Sequence, residues 1–200
     1  MAAITFRYFR DPHHFSTYTD EPSVCDICGR TRPGYEGPFY GEEDLDFVCE
    51  ECLASGRLAE HDVFANSADK RTLYWQIKVA EPLLSEEEIE ALVNGKTAEV
   101  EQRTPHIVSW QDIEWPAHCR DYACFVKEAG KPDLNALSPE GDGRMFLYEH
   151  LYHGLTTDLD DLWASVRPDS PTSNEVSYST AVYLFKCLTC QDYAILWDIE

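Results

Sequence analysis

Two C-x-x-C pairs, Cys25/Cys28 and Cys49/Cys52, stand twenty residues apart in the sequence. This spacing is that of a four-thiolate zinc site. A structural zinc ion takes four ligands tetrahedrally and accepts thiolate readily. In each pair the two intervening residues form a tight turn that can aim both sulfurs at one ion. Gly29 follows the first pair, where a sharp knuckle calls for positive φ. A pair of disulfides, or free buried thiols, is the bland alternative for the same four residues. A third C-x-x-C, Cys187/Cys190, leaves Cys119 and Cys124 as the remaining cysteines of eight. If Cys187 and Cys190 are half of a second zinc site, Cys119 and Cys124 are the natural suppliers of the other half, with His118 as a substitute. Lone cysteines also serve as small buried hydrophobes.

Other chemistry finds little support. No H-E-x-x-H occurs, nor the H-x-E with P-C-x-x-C of zinc deaminases. His150 and His153 stand at i and i+3 with no third ligand at useful spacing, which reads as surface histidines. His118 and Cys119 are neighbours, a poor arrangement for a nucleophile and its base if they lie on a helix. No glycine-rich phosphate loop is present. A thioredoxin-like redox motif needs a strand entering a helix; only Cys49/Cys52 is loosely so placed, and it has another pair as metal partner. The expectation is therefore a non-catalytic protein, with a metal- or thiolate-dependent enzyme or redox protein as the alternative.

The charge balance is unusual. Sixteen basic residues face 37 acidic ones, for a net charge of −21. Such a surface repels phosphate backbones and attracts basic proteins, so direct nucleic-acid binding is not expected. Surplus acid also serves solubility. If it serves a partner, the candidate contacts are Glu42, Glu43, Asp44 and Asp46, beside Phe39 and Tyr40, and Asp158, Asp160 and Asp161, beside Trp163. No secretory signal and no membrane-length apolar run is visible, which predicts a cytoplasmic protein. In a reducing compartment, cysteines are better explained by metal than by disulfides.

The elements that must position these residues can be outlined. Residues 4–9 alternate as a first strand. Leu45, Phe47 and Val48 read as strand, and Glu50 to Leu53 as the first turn of a helix that stops near Gly56. Residues 62–84 could hold a strand. Ser85 with Glu88 is a capping box, and the three glutamates of that first turn suit the helix dipole without any catalytic role; Asn94-Gly95 is expected to end the helix. Residues 118–129 read as a helix closed by Gly130, 132–143 as loop, 145–152 and 159–166 as helices, and 168–179 as a mobile surface loop. Residues 181–198 are two apolar β segments flanking a C-x-x-C, a hairpin whose turn is itself a knuckle.

Several of these residues together resemble a known family. Gly37-Pro38-Phe39-Tyr40 and Glu42-Glu43-Asp44-Leu45 lie between the first two C-x-x-C pairs. Arg103-Thr104-Pro105, Trp110-Gln111, Trp115 with His118-Cys119, and the end segment from Tyr183 to Cys190 follow in order. The set resembles the CbrC family, also called UPF0167, across nearly the whole chain. The resemblance implies three C-x-x-C motifs in a protein of this length and an association with tolerance to a DNase colicin. Sequence and resemblance together predict an α+β fold in one domain over residues 1–200. Within it, a treble-clef-like zinc module occupies residues 22–60, a helical region the middle, and a C-terminal knuckle hairpin residues 180–200. The expected function is that of an acidic, zinc-binding protein that binds a basic protein, such as a nuclease toxin, in an immunity or tolerance role.

Overall fold

The structure, a computed structural model, describes residues 4–173 and 178–200. Its first part contains α1 (Pro12–Phe15), β1 (Tyr18–Val24), β2 (Thr31–Glu36), β3 (Tyr40–Gly41), β4 (Phe47–Cys49) and α2 (Glu50–Ala54), then a 3-10 turn over Arg57–His61. The middle contains β5 (Val63–Phe64), β6 (Ser67–Ala68), α3 (Lys70–Ala80), α4 (Glu86–Arg103), β7 (Glu114–Trp115), β8 (Ala117–His118), β9 (Asp121–Tyr122) and β10 (Cys124–Glu128). Last come α5 (Lys131–Leu137), α6 (Gly143–His150), α7 (Leu159–Ser165), β11 (Thr180–Lys186) and β12 (Tyr193–Ile199). The architecture is mixed α and β, with small sheets rather than one large one.

Two three-stranded antiparallel sheets carry the cysteine pairs. One has the order β1-β2-β4 and the other β10-β11-β12. The second is covered on both faces. Tyr183 and Phe185 of β11 join the larger apolar core, whereas Val182 and Leu184 join a smaller one. Successive side chains on a strand point to opposite faces, so a strand between two cores must be apolar throughout. That is why β11 reads as an unbroken apolar run. The smaller core is completed by Leu134, Phe146, Leu147 and Leu162 from α5, α6 and α7. The larger one reaches from Phe6 and Tyr8 through Cys25, Tyr35 and Val48 to Trp115, Phe125 and Phe185.

Several sequence expectations are corrected here. Residues 4–9 form no strand; Phe6 and Phe9 make only isolated bridges, one of them between Phe9 and Phe125. The run 62–84 holds two short strands, β5 and β6, but its aromatic part from Leu73 to Val79 lies in helix α3. Asp69 caps α3 by accepting from the Thr72 amide at 2.9 Å, and Leu73 and Ile77, four apart, bury one face. Helix geometry and a good cap prevail over the aromatic and β-branched content that suggested a strand. The capping box at Ser85 is present, but α4 continues through Asn94 and Gly95 to Arg103. Its buried face, Ile89, Val93, Thr97 and Val100, gains enough from packing to carry one glycine.

The expected helix over 118–129 is instead a tight hairpin, β8 and β9, followed by β10. Pairing of Phe125 with Phe185 across β10 and β11 decides that segment, because strand pairing is set by neighbours that local sequence does not show. Residues 132–143, expected as loop, include α5, whose Asp133 carboxylate accepts from the Gly130 amide at 2.9 Å. The helices expected at 145–152 and 159–166, and the hairpin over 181–198, correspond to α6, α7 and the β11-β12 pair. Of the expected surface loop over 168–179, residues 174–177 lie outside the described residues.

Candidate metal centres

Cys25 and Cys28 sit in the turn between β1 and β2, and Cys49 and Cys52 where β4 enters α2. Strand β2 pairs with β4, with Gly34 opposite Cys49, and this brings the two pairs together. Gly34 permits the approach: a Cβ there would sit 2.5 Å from the Val48 carbonyl oxygen and 2.7 Å from the Cys49 Cα. The knuckle is held by its own backbone. The Gly29 amide donates to the Cys25 carbonyl at 2.8 Å, and Gly29 takes a φ of 68°. Asp26, between the two cysteines, accepts from the amides of Asp46 and Phe47, each at 2.8 Å, and so fastens the knuckle to the start of β4.

The four sulfurs lie within 4.8 Å of one another. Cys28 and Cys49 are 3.8 Å apart at sulfur, and the Cys49 amide donates to the Cys25 sulfur at 3.3 Å. Four thiolates about 2.3 Å from one ion in a tetrahedron stand roughly 3.8 Å from each other. The spacing therefore fits an ion and is far from the ~2 Å of a disulfide. Cys25, Cys49 and Cys52 are buried and Cys28 is partly exposed. The backbone hydrogen bond from Arg30 holds the Cys28 thiol down at about 7, whereas burial raises Cys49 and Cys52. A cation among them would stabilise all four as thiolates.

A second group comprises His118, Cys119, Cys187 and Cys190, whose ligand atoms also lie within 4.8 Å of one another. His118 Nδ1 is 3.4 Å from the Cys190 sulfur, and the Thr189 amide donates to the Cys187 sulfur at 3.3 Å. The β8-β9 hairpin turns on Cys119 and Arg120, with φ of 54° and 65°. A two-residue turn with positive φ at both centres is usually built from glycine or asparagine. Here it is held by α3: Gln76 accepts from the Arg120 amide at 2.9 Å and donates to the Ala117 carbonyl at 3.0 Å. Burial opposes the Cys187 thiolate, but donation from the Cys190 and Thr189 amides outweighs it and brings the thiol to about 7. Cys190 is exposed, so this group is the more open of the two.

Cys124 is outside both groups. It begins β10, and burial pushes its thiol up to about 11. The helix that would have presented Cys119 and Cys124 together does not form, and the donor beside Cys119 is His118. Its position directly before Cys119, just after Trp115-Pro116, was the signal available in the sequence.

The acidic candidates fall into two places. Glu42, Glu43, Asp44 and Asp46 are exposed between β3 and β4. Glu43 meets His61 at 2.8 Å, and no ion pair of Glu42, Asp44 or Asp46 occurs among the described residues. Asp158 caps α7 by accepting from the Asp160 amide at 2.8 Å and the Asp161 amide at 3.3 Å, and Asp160 pairs with Arg144. The first group is therefore largely free for contact, whereas two members of the second have structural roles. Among the described residues, no hydrogen bond or ion pair joins the two groups.

Fold and sites define a mixed α and β protein with two cysteine-rich groups that could each hold a metal ion. The chain belongs to the uncharacterised protein family UPF0167, which it matches over residues 4–199. It is 29% identical over 187 residues to a UPF0167 protein of Mycobacterium bovis, covering 92% of this chain and 87% of that one. A UPF0167 protein of Pseudomonas aeruginosa is 28% identical over 189 residues, covering 92% and 90%. No solved structure matches. Among the described residues, no helix is long and apolar enough to cross a membrane.

Proposed function

We propose that this chain is a non-catalytic, zinc-structured protein whose acidic surface binds a basic protein. The observation that carries the reading is the closed donor set of Cys25, Cys28, Cys49 and Cys52. Four protein ligands fill a tetrahedral zinc ion and leave no position for substrate or water. Strand, knuckle and short helix around that set form a treble-clef-like module. All-sulfur donors, with one histidine in the second group, suit zinc among the common divalent ions.

The net charge of −21 supplies the recognition. A nuclease must be basic to hold phosphates, so an acidic chain can associate with it quickly and cover that face. Toxin immunity or tolerance is the specific form of this reading. The free carboxylates of Glu42 and Asp44, with Glu43 beside them and Tyr40 partly exposed, are the proposed contact. The test is to replace Glu42, Glu43 and Asp44 by their amides and measure binding to a purified basic nuclease at low and high salt. Association should slow several-fold at low salt, converging with wild type as the Debye length shrinks, with metal content unchanged. Equal association rates at low salt would leave the charge a solubilising feature. The exposure of Cys190 favours a second reading, a metal-dependent enzyme at the second group; X-ray absorption showing an oxygen ligand on that ion would support it.

A further inference from the structure

The two cysteine groups differ in what water reaches. Among the described residues, Cys190 is the one exposed cysteine, and Cys119 is partly exposed. Cys119 also lines an open groove of about 550 Å³ with Arg120 and Trp75. Cys187 is 2% exposed, and Cys25, Cys49 and Cys52 of the first group are 4% exposed or less. A small oxidant in water therefore meets two sulfurs of the second group and only Cys28 of the first. Cys28 sits on a knuckle that Asp26 fastens to the start of β4 through the amides of Asp46 and Phe47. That knuckle resists closing on a partner.

The two reachable sulfurs stand on different turns. Cys119 lies in the β8-β9 hairpin turn and Cys190 in the turn between β11 and β12. Their sulfurs are within 4.8 Å of one another, so a disulfide of about 2 Å needs an approach of less than ~3 Å. Among the described residues, no backbone hydrogen bond joins Cys119 or Arg120 to residues 187–192. The bonds that link the turns run to the sulfurs themselves, from His118 to Cys190 and from Cys187 to the His118 carbonyl. Cys187 is the poorer partner, because it is buried and its sulfur accepts from the Thr189 amide at 3.3 Å inside the knuckle.

We infer that Cys119 and Cys190 form an oxidation site, which hydrogen peroxide converts to a disulfide with release of the ion they hold. The ion rests on the metal reading of this group given above; the thiol pair does not. The Cys190 thiolate attacks one peroxide oxygen, the O–O bond breaks, and hydroxide leaves as the sulfenic acid forms. The Cys119 thiolate then attacks that sulfur, the S–O bond breaks, and a second hydroxide leaves. Two electrons pass from the sulfurs to peroxide, and two protons from solvent complete two waters. His118 and Cys187 remain, half of the donors a tetrahedral ion needs. The first group keeps its ion and its fold, so the change is confined to one end of the molecule.

The test treats the zinc-loaded full chain with hydrogen peroxide. A metallochromic chelator follows ion release, and peptide mass mapping after blocking free thiols locates the disulfide. One ion per chain should be released, with a Cys119–Cys190 disulfide, and dithiothreitol with added zinc should restore the starting metal content. Cys124→Ala should behave as wild type, and Cys190→Ser should leave Cys119 without a disulfide. Release of neither ion or of both overturns the inference. So does a disulfide between Cys187 and Cys190, or oxidation of Cys190 to sulfinic acid with no disulfide. A chain that binds only one ion before treatment would remove the metal reading of this group, and mapping would still decide the thiol pair.

Discussion

His118 Nδ1 lies 3.4 Å from the Cys190 sulfur although 72 positions separate them in the chain. The contact ties the β8-β9 hairpin to the turn between β11 and β12, two elements that share no local sequence signal. It makes the second group a site assembled by the tertiary fold, whereas the first is built within one contiguous stretch.

That difference gives a direct comparison at the second group. His118→Ala should reduce metal content from two ions per chain toward one, and Cys124→Ala should leave it at two, as read by elemental analysis of the purified variants. Loss of metal in Cys124→Ala, with His118→Ala unaffected, would reverse the assignment.

At the first group, Cys49→Ser removes a buried donor from the β4-α2 boundary. Binding of a structural ion is folding free energy, so the variant should lose one ion and melt about 10 °C lower or more, given ~2–4 °C per kcal/mol at this size. A variant with full metal content and wild-type melting would contradict the site.

Gly34 should be intolerant of a methyl group although it is not a ligand. Gly34→Ala drives a Cβ against Val48 and Cys49, a backbone clash that nearby side chains cannot relieve. It should destabilise by about 3 kcal/mol and weaken metal binding at the first group while leaving the second loaded. Unchanged stability in urea titration would show that β2 and β4 are not so closely paired.

His106 sets a pH dependence. Burial lowers its pKa below the ordinary histidine value, while its Nδ1 lies 2.8 Å from the Ala65 carbonyl and so carries the donated proton. The unfolded chain then binds the proton more readily than the folded one, so stability falls as pH drops below about 6.5. Relative to wild type, His106→Gln should show a shallower loss of stability between about pH 6.5 and 5.5. Identical slopes would mean that His106 does not titrate differently on folding.

The first cysteine group was legible in the sequence because its four members are local. Two C-x-x-C turns twenty residues apart need only a hairpin and a helix start to converge, and Gly29 and the Leu45–Val48 pattern marked both. The last hairpin, α6, α7 and the cap of α4 were legible for the same reason, since turn and cap chemistry is written in adjacent residues. What the tertiary structure decided was non-local. Residues 118–129 carry a helical pattern of apolar side chains, yet they become hairpin and strand because β11 offers a paired edge and an aromatic core. That choice takes Cys124 away from the second group and brings His118 into it. The end of α4 was decided likewise by packing of Thr97 and Val100 beyond a glycine that local propensity would make a stop. Local rules specify turns, caps and contiguous ligand pairs; which strand a segment joins depends on a partner far along the chain, and only the folded chain supplies it.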